Sequence, residues 1–146
     1  MGQVMHLLHS IGMGLGVLGA FAAGAVMLVL PAGDEARRKR GRIARFISPF
    51  TWLGLLLLLV SGGLMTAHGA AEEGYELWIL LKHAFVVIIC VDALVIHFRL
   101  FPRYFRQIGT PEVVATHRRM RAVGALSVFS WAAALALSFG GERLFG

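Results

Sequence analysis

The sequence predicts an all-α integral membrane protein, a single transmembrane domain built as an antiparallel bundle of four helices with both termini outside the cytoplasm. Of its 146 residues, 58% are hydrophobic and 15% are charged, whereas soluble domains carry about 25% charged residues. The hydrophobic residues fall in four blocks, at 4–30, 46–67, 77–98 and 122–139. Each block is close to the ~20 residues that cross a bilayer, and lipid admits helices but not open sheets.

The ends of the four predicted helices are marked by helix-breaking and capping residues. No Lys or Arg precedes the apolar block of helix one, and the block is too long for the apolar region of a signal peptide. We therefore expect helix one to be kept in the mature protein. Pro31 ends it. Pro49 is expected in the first turn of helix two, where proline is tolerated. Thr110, which precedes Pro111 and Glu112, is a candidate N-cap, so helix four should begin well before its apolar part.

The charges in the loops predict which side of the membrane each loop faces, because Lys and Arg near the spans mark the cytoplasmic side. The first loop holds six basic residues: Arg37, Arg38, Lys39, Arg40, Arg42 and Arg45. The third loop also holds six: Arg99, Arg103, Arg106, Arg118, Arg119 and Arg121. The second loop has no basic residue and carries Glu72, Glu73 and Glu76. We therefore expect a multi-pass protein of the bacterial inner (cytoplasmic) membrane with loops one and three inside. The net charge of +6 belongs to these loops and is no sign of nucleic-acid binding.

Six histidines occur in this apolar chain, namely His6, His9, His68, His83, His97 and His117. His9 lies about five residues inside the outer end of its helix and His83 about six, which puts both ~8–9 Å deep at 1.5 Å per residue. Two imidazoles at one depth on two helices are what a bis-histidine haem b requires, with one on each side of the ring. We predict that His9 and His83 ligate the haem iron, with a packing role as the alternative for each.

Three further residues are assigned to the same site. Lys82 lies inside the third block, where its ammonium can extend to the outer interface or meet a haem propionate. Gly12 and Gly16 follow His9 on helix one, and small residues there leave room for a flat cofactor or let a neighbouring helix approach closely. We expect all three to be cofactor-binding, with helix packing as the alternative for each glycine.

Other metal sites remain open from the spacing alone. His6 and His68 are alternative iron ligands, since both fall at the outer side. His6, His9 and His68 together suit copper or zinc, because imidazole binds these metals and His6 lies one helical turn from His9.

A second haem is a further possibility, because His83 and His97 are separated by fourteen residues and so share one helix face. It would need His117, which we expect at the cytoplasmic interface beside Arg118, so the sequence predicts a single haem. Asp92 is an intramembrane carboxyl that is either a neutral, hydrogen-bonded packing residue or part of a proton relay.

Two segments resemble known families of small membrane proteins. Arg42-Ile-Ala-Arg-Phe-Ile-Ser and the later Leu-Leu-Leu-Val-Ser-Gly62 are similar to the second helix of the CopD-like (copper-resistance D) family, and Leu77 to Lys82 with Arg99-Leu-Phe-Pro is similar to its next helix. The helix from Lys82 to His97, with a histidine early in helix one, resembles HemJ-type protoporphyrinogen oxidases. The resemblance implies a small haem- or metal-binding bundle. The Asn-Glu-x-Pro pattern of HemJ-type helix four is absent, and His83 is outside the usual copper-resistance pattern.

These observations favour a haem b membrane cytochrome that acts as an electron-transfer subunit, linked to quinone or to another redox protein, within a complex or homo-oligomer. The sequence has no G-x-S-x-G, H-E-x-x-H, phosphate-loop or C-x-x-C motif. A stand-alone HemJ-type enzyme, a copper transport or tolerance protein, and a structural subunit without a cofactor are the alternatives.

Overall fold

The computed structural model describes residues 2–69 and 77–145, and side chains within 3–67 and 77–139. The described chain is helical with short turns and contains no strand. Its helices are α1 (Gly2–Met27), α2 (Asp34–Gly69), α3 (Leu77–Leu94), α4 (Phe101–Gln107) and α5 (Glu112–Phe145), and a π-helical turn, Val95–Leu100, joins α3 to α4.

Four stretches of the described chain are long and apolar enough to cross a membrane, at Gln3–Met27, Asp34–Ala67, Leu77–Gln107 and Glu112–Phe139. Large hydrophobic side chains are exposed along all of them, as expected for surfaces that face lipid; Leu18, Leu56, Val87 and Phe129 are examples. The prediction of an all-α protein with four membrane-length helices is therefore confirmed, with α5 as helix four.

One helix boundary differs clearly from the sequence prediction. Helix two begins at Asp34, so Pro49 lies inside the helix and not in its first turn. The basic segment before Pro49 is helical because one of its faces is packed: Ala44 is fully buried, and Gly41 lies against the rings of Tyr104 and Phe105. Hydropathy could not reveal this extension, since most of its residues are charged. Helix four begins at Glu112, well before its apolar part, as predicted.

The π-helical turn between α3 and α4 has a local cause. Pro102 has no backbone N–H, and its ring would clash with the carbonyl of Phe98 in a regular α-helix. The wider turn avoids this clash, and the N–H of Phe101 donates to the carbonyl of Ile96, five residues back.

Glycines bring α1 and α2 into backbone contact. A Cβ on Gly12 would lie 2.8 Å from Cβ of Leu57 and 2.9 Å from the carbonyl oxygen of Gly54, and a Cβ on Gly54 would overlap the backbone of Gly16. No side chain larger than hydrogen fits this contact. The α1–α2 pair is therefore a tightly packed unit.

The remaining helices complete the bundle around this pair. Trp131 of α5 places its ring against Gly16 of α1, and Phe85 of α3 lies edge-on to Phe129 of α5 with ring centroids 6.2 Å apart. We call the end that carries the Arg-rich segments the basic end and the opposite end the distal end. A hydrophobic cluster closes the basic end: Met27, Ala44, Leu100, Phe101, Tyr104, Ile108, Val113 and Met120.

Candidate cofactor site

A cavity of about 380 Å³ lies in the distal half of the bundle, between α1, α2, α3 and α5. This volume falls in the ~300–1,000 Å³ range of small-molecule and cofactor pockets. His9, Lys82 and His83 all line it. The other lining residues are mostly apolar: Met13, Leu58, Leu59, Gly62, Gly63, Met65, Thr66, Trp78, Ile79, Val86, Trp131, Ala134, Leu135 and Ser138.

The imidazole of His9 is oriented by a chain of two hydrogen bonds. Its Nδ1 lies 3.2 Å from Oγ of Ser61, and that hydroxyl donates to the carbonyl of Leu57 at 2.5 Å. Because the only proton of the Ser61 hydroxyl is used on Leu57, Ser61 must accept from Nδ1–H of His9. The lone pair of the neutral ring is then on Nε2.

His83 is held in the same tautomer by its own helix. Its Nδ1 lies 2.7 Å from the carbonyl oxygen of Ile79, one turn earlier. A carbonyl only accepts, so Nδ1 carries the proton and Nε2 carries the lone pair. Metal-bound histidines are typically oriented in this way, through a hydrogen bond from the nitrogen that does not bind the metal.

The residues of the cavity fit a haem b in their donor chemistry. Imidazoles on α1 and α3 line one cavity, each with its Nδ1 hydrogen-bonded to the protein. The walls are aliphatic and aromatic, and the Trp131 ring beside them is 3% exposed. Lys82 adds a cation, and no carboxylate of the described residues lies within ion-pair distance of it.

Gly12 and Gly16 do not line this cavity. Both are buried in helix contacts, Gly12 against α2 and Gly16 against Trp131 and α2. Their described surroundings therefore favour the packing interpretation over cofactor clearance. The glycines at the cavity are Gly62 and Gly63 of α2, neither of which the sequence analysis assigned to the cofactor site. The adjacent pair inside an otherwise leucine-rich block was the available signal.

The alternative ligands His6 and His68 are placed differently. His6 is exposed and does not line the cavity. The side chain of His68 lies outside the described residues, and so does the proposed copper or zinc site of His6, His9 and His68. Within the described part of the chain, no group of three or more His, Cys, Asp or Glu side chains is close enough to hold a metal ion.

His97 and His117 occupy separate environments near the basic end. Nδ1 of His97 lies 3.1 Å from Oγ of Ser48, and its ring packs edge-on against Trp52 and Phe98. His117 is 3% exposed, with its ring centroid 6.2 Å from that of Tyr104. A smaller cavity of about 90 Å³ nearby is lined by neither histidine.

The interfacial depth expected for His117 stays a prediction, but the burial of its ring inside the protein was not predicted. The reason is helical spacing: Val113, Thr116, His117 and Met120 form one face of α5, and all four are buried at the basic end. The neighbouring arginines that suggested exposure point the other way; Arg118 and Arg119 are exposed.

Asp92 is 6% exposed and does not line the 380 Å³ cavity. Its Oδ2 has no hydrogen-bond partner among the described residues, and neither has the fully buried hydroxyl of Ser130 on α5. Buried polar atoms normally have a protein or water partner. The geometry thus leaves both the packing and the relay interpretations of Asp92 open.

Comparison with known proteins adds no family to this geometry. No family model matches the chain, and no curated protein and no solved structure matches it. Functional conclusions therefore depend on the site itself.

Proposed function

We propose that this protein is a haem b-binding membrane cytochrome that carries electrons, with His9 and His83 as the axial ligands. The observation that supports this most directly is the pair of histidines that line one cavity, each with its Nδ1 oriented by a hydrogen bond to the protein. The resemblance to CopD-like and HemJ-type proteins rests on short sequence segments and implies a small haem- or metal-binding bundle.

The chain contributes orientation, a dry environment and charge. Ser61 and Ile79 orient the two imidazoles, and apolar side chains such as Leu58, Val86 and Leu135 line the cavity. Lys82 lines the same cavity, and its ammonium would neutralise a carboxylate of the bound cofactor. A bound haem supplies one-electron redox chemistry, whose potential depends on the axial ligands and on burial.

We also propose that the basic end faces the cytoplasm, since ten exposed Arg and Lys side chains are gathered there. These residues are Arg38, Lys39, Arg42, Arg45, Arg99, Arg103, Arg106, Arg118, Arg119 and Arg121. The cavity then lies in the outer leaflet of a bacterial inner membrane. Its electron partner would be a quinone or another membrane redox protein, and the same placement suits a subunit of a complex or homo-oligomer.

The test is the absorption spectrum of the purified protein, oxidised and reduced, with iron and copper analysis. We expect the bands of a low-spin bis-imidazole haem and about one iron per chain. His9→Ala and His83→Ala should each abolish or strongly shift these bands. His6→Ala is the matched control, since it removes an exposed imidazole from the same helix, and it should leave them unchanged.

The same preparation separates the alternatives. Copper without iron, lost in His9→Ala and in His6→Ala, would support a copper transport or tolerance protein. Quinone-dependent oxidation of protoporphyrinogen that disappears in His9→Ala would support a HemJ-type enzyme. If the purified protein contained neither iron nor copper and no haem, the structural-subunit alternative would be favoured.

A further inference from the structure

The 380 Å³ cavity occupies the space between α2 and α3 in the distal half of the bundle. Toward the basic end, α2 contacts the π-helical turn that continues α3: Oγ of Ser48 lies 3.1 Å from Nδ1 of His97, and the ring of Trp52 lies 6.1 Å from that of His97 and 6.4 Å from that of Phe98. Further toward the distal end, side chains of both helices line the cavity instead. The helices are therefore joined at one end and separated by the cavity at the other.

The α2 wall of the cavity reaches the outer surface of the bundle. Leu59 lines the cavity and is 47% exposed, and Gly63, one turn later, is also exposed. A Cβ built on Gly63 would meet no atom within 4 Å. Because this surface belongs to a membrane-length helix, its surroundings are acyl chains and not water.

The geometry points to a lateral opening between residues 59–63 of α2 and 79–86 of α3, through which the ligand enters the cavity from the lipid. The inference rests on the proposed function only for the identity of the ligand, and it concerns how the same site is reached. The ligand class is an amphipathic, lipid-dissolved molecule that has an apolar body and a carboxylate.

Two observations define this ligand chemistry. The lining is dominated by Leu, Val, Ile, Met and Trp side chains, which favour an apolar body. Lys82 is the cation of the lining and has no carboxylate partner among the described residues. An ammonium in a membrane-spanning segment requires an anion or water, and a carboxylate-bearing ligand supplies the anion.

Fluorescence of Trp131 tests the opening without any haem. Trp131 lines the cavity but is 3% exposed, so lipid chains outside the bundle do not touch most of its ring. A protein with Trp131 as its only tryptophan, carrying Trp52→Phe and Trp78→Phe, is stripped of bound ligand and placed in vesicles. The quenchers are a brominated fatty acid and its methyl ester, both added near neutral pH.

We expect both quenchers to reduce Trp131 fluorescence, and the acid to do so at a lower membrane concentration. The preference for the acid should disappear in Lys82→Gln. Gly63→Phe should prevent quenching, whereas Gly14→Phe, which also extends into open space but away from the cavity, should not. Leu59→Ala, which widens the same opening, should increase quenching.

The lateral opening would be refuted if neither quencher reduced Trp131 fluorescence. It would also be refuted if Gly63→Phe and Gly14→Phe were quenched equally. Equal affinity for acid and ester in the parent protein would overturn the anionic ligand class. A failure of the haem proposal would be seen in a different experiment, as the absence of haem absorption bands from the purified protein. Circular dichroism of each variant confirms that helix content is retained.

Discussion

Alanine at Gly62 should weaken cofactor binding by displacing the His9 ring. The new Cβ would lie 3.2 Å from Cε1 and 3.5 Å from Nδ1 of His9, closer than the ~3.5–4.0 Å of a relaxed carbon contact. The ring must then move by a few tenths of an ångström. Its bond to Ser61 is already 3.2 Å long, at the upper limit for an N–H···O bond, so any retreat weakens it.

The size of the effect follows from the cost of overpacking. An extra carbon in a well-packed site costs about 1–3 kcal/mol, which corresponds to roughly 5- to 150-fold in affinity. The matched control is Gly63→Ala, one residue along α2, where a Cβ meets nothing within 4 Å. Both variants gain the same helix propensity and add a methyl group to the cavity lining, so a difference between them reports on the contact of Gly62 with His9.

The assay is titration of ligand-free protein in lipid nanodiscs with haem, followed by absorbance. Gly62→Ala should bind haem roughly 5- to 150-fold more weakly than the parent protein, and Gly63→Ala should bind haem with the parent's affinity. Equal affinities for the two alanine variants would show that the orientation of His9 by Ser61 does not matter for binding, and the ligand assignment would lose its main geometric support.

Three other outcomes are expected. Gly54→Ala should lower the unfolding free energy by about 1–3 kcal/mol, because its Cβ would meet the backbone of α1. Gly14→Ala, where a Cβ meets nothing within 4 Å, should not lower it. Thermal or denaturant unfolding measures the difference, and equal stability of the two variants would contradict the close α1–α2 contact. His97→Ala should leave the haem-to-protein ratio at about one, since no described cavity holds His97 beside a second histidine; a ratio falling from two to one would show a second haem. In a Cys90→Ala background, Ala71→Cys should react with an impermeant thiol reagent added outside and Lys39→Cys should not, and the reverse pattern would place the basic end outside.

The sequence predicted the helices well because a membrane span has a required length. Four apolar blocks of sufficient size could hardly fold otherwise in lipid, and the structure has four such helices. Depth along a helix was equally accessible, since it is a count of residues at 1.5 Å each. That count placed His9 and His83 at one level, and both line the same cavity; whether they bind iron stays a prediction.

The rotation of each helix was not accessible from hydropathy. Lipid and protein interior are both apolar, so the pattern does not show which face of a span is buried. Gly12 and Gly16 could therefore be assigned to cofactor clearance although they contact α2 and Trp131. The burial of His117 was missed for a related reason, because its arginine neighbours along the chain lie on another face of α5.

Ser61 and Gly62 were missed because their importance depends on a contact across 52 positions of the chain, between Ser61 and His9. Serine in a transmembrane helix usually bonds to its own preceding turn, as Ser61 does with Leu57. No local signal shows that the same oxygen also accepts a hydrogen bond from another helix.

The π-helical turn at Val95–Leu100 makes chain length, more than residue identity, the property that must be kept in this region. The turn accommodates one residue more than an α-helical turn, and one residue corresponds to about 100° of rotation. A single-residue deletion there would rotate α4 about its axis and carry Phe101 and Tyr104 out of the cluster that seats the first turns of α5. The fifteen-residue separation of Ile89, which is buried in α3, from Tyr104, which is buried in α4, is therefore the spacing that this part of the fold requires, even where side chains change.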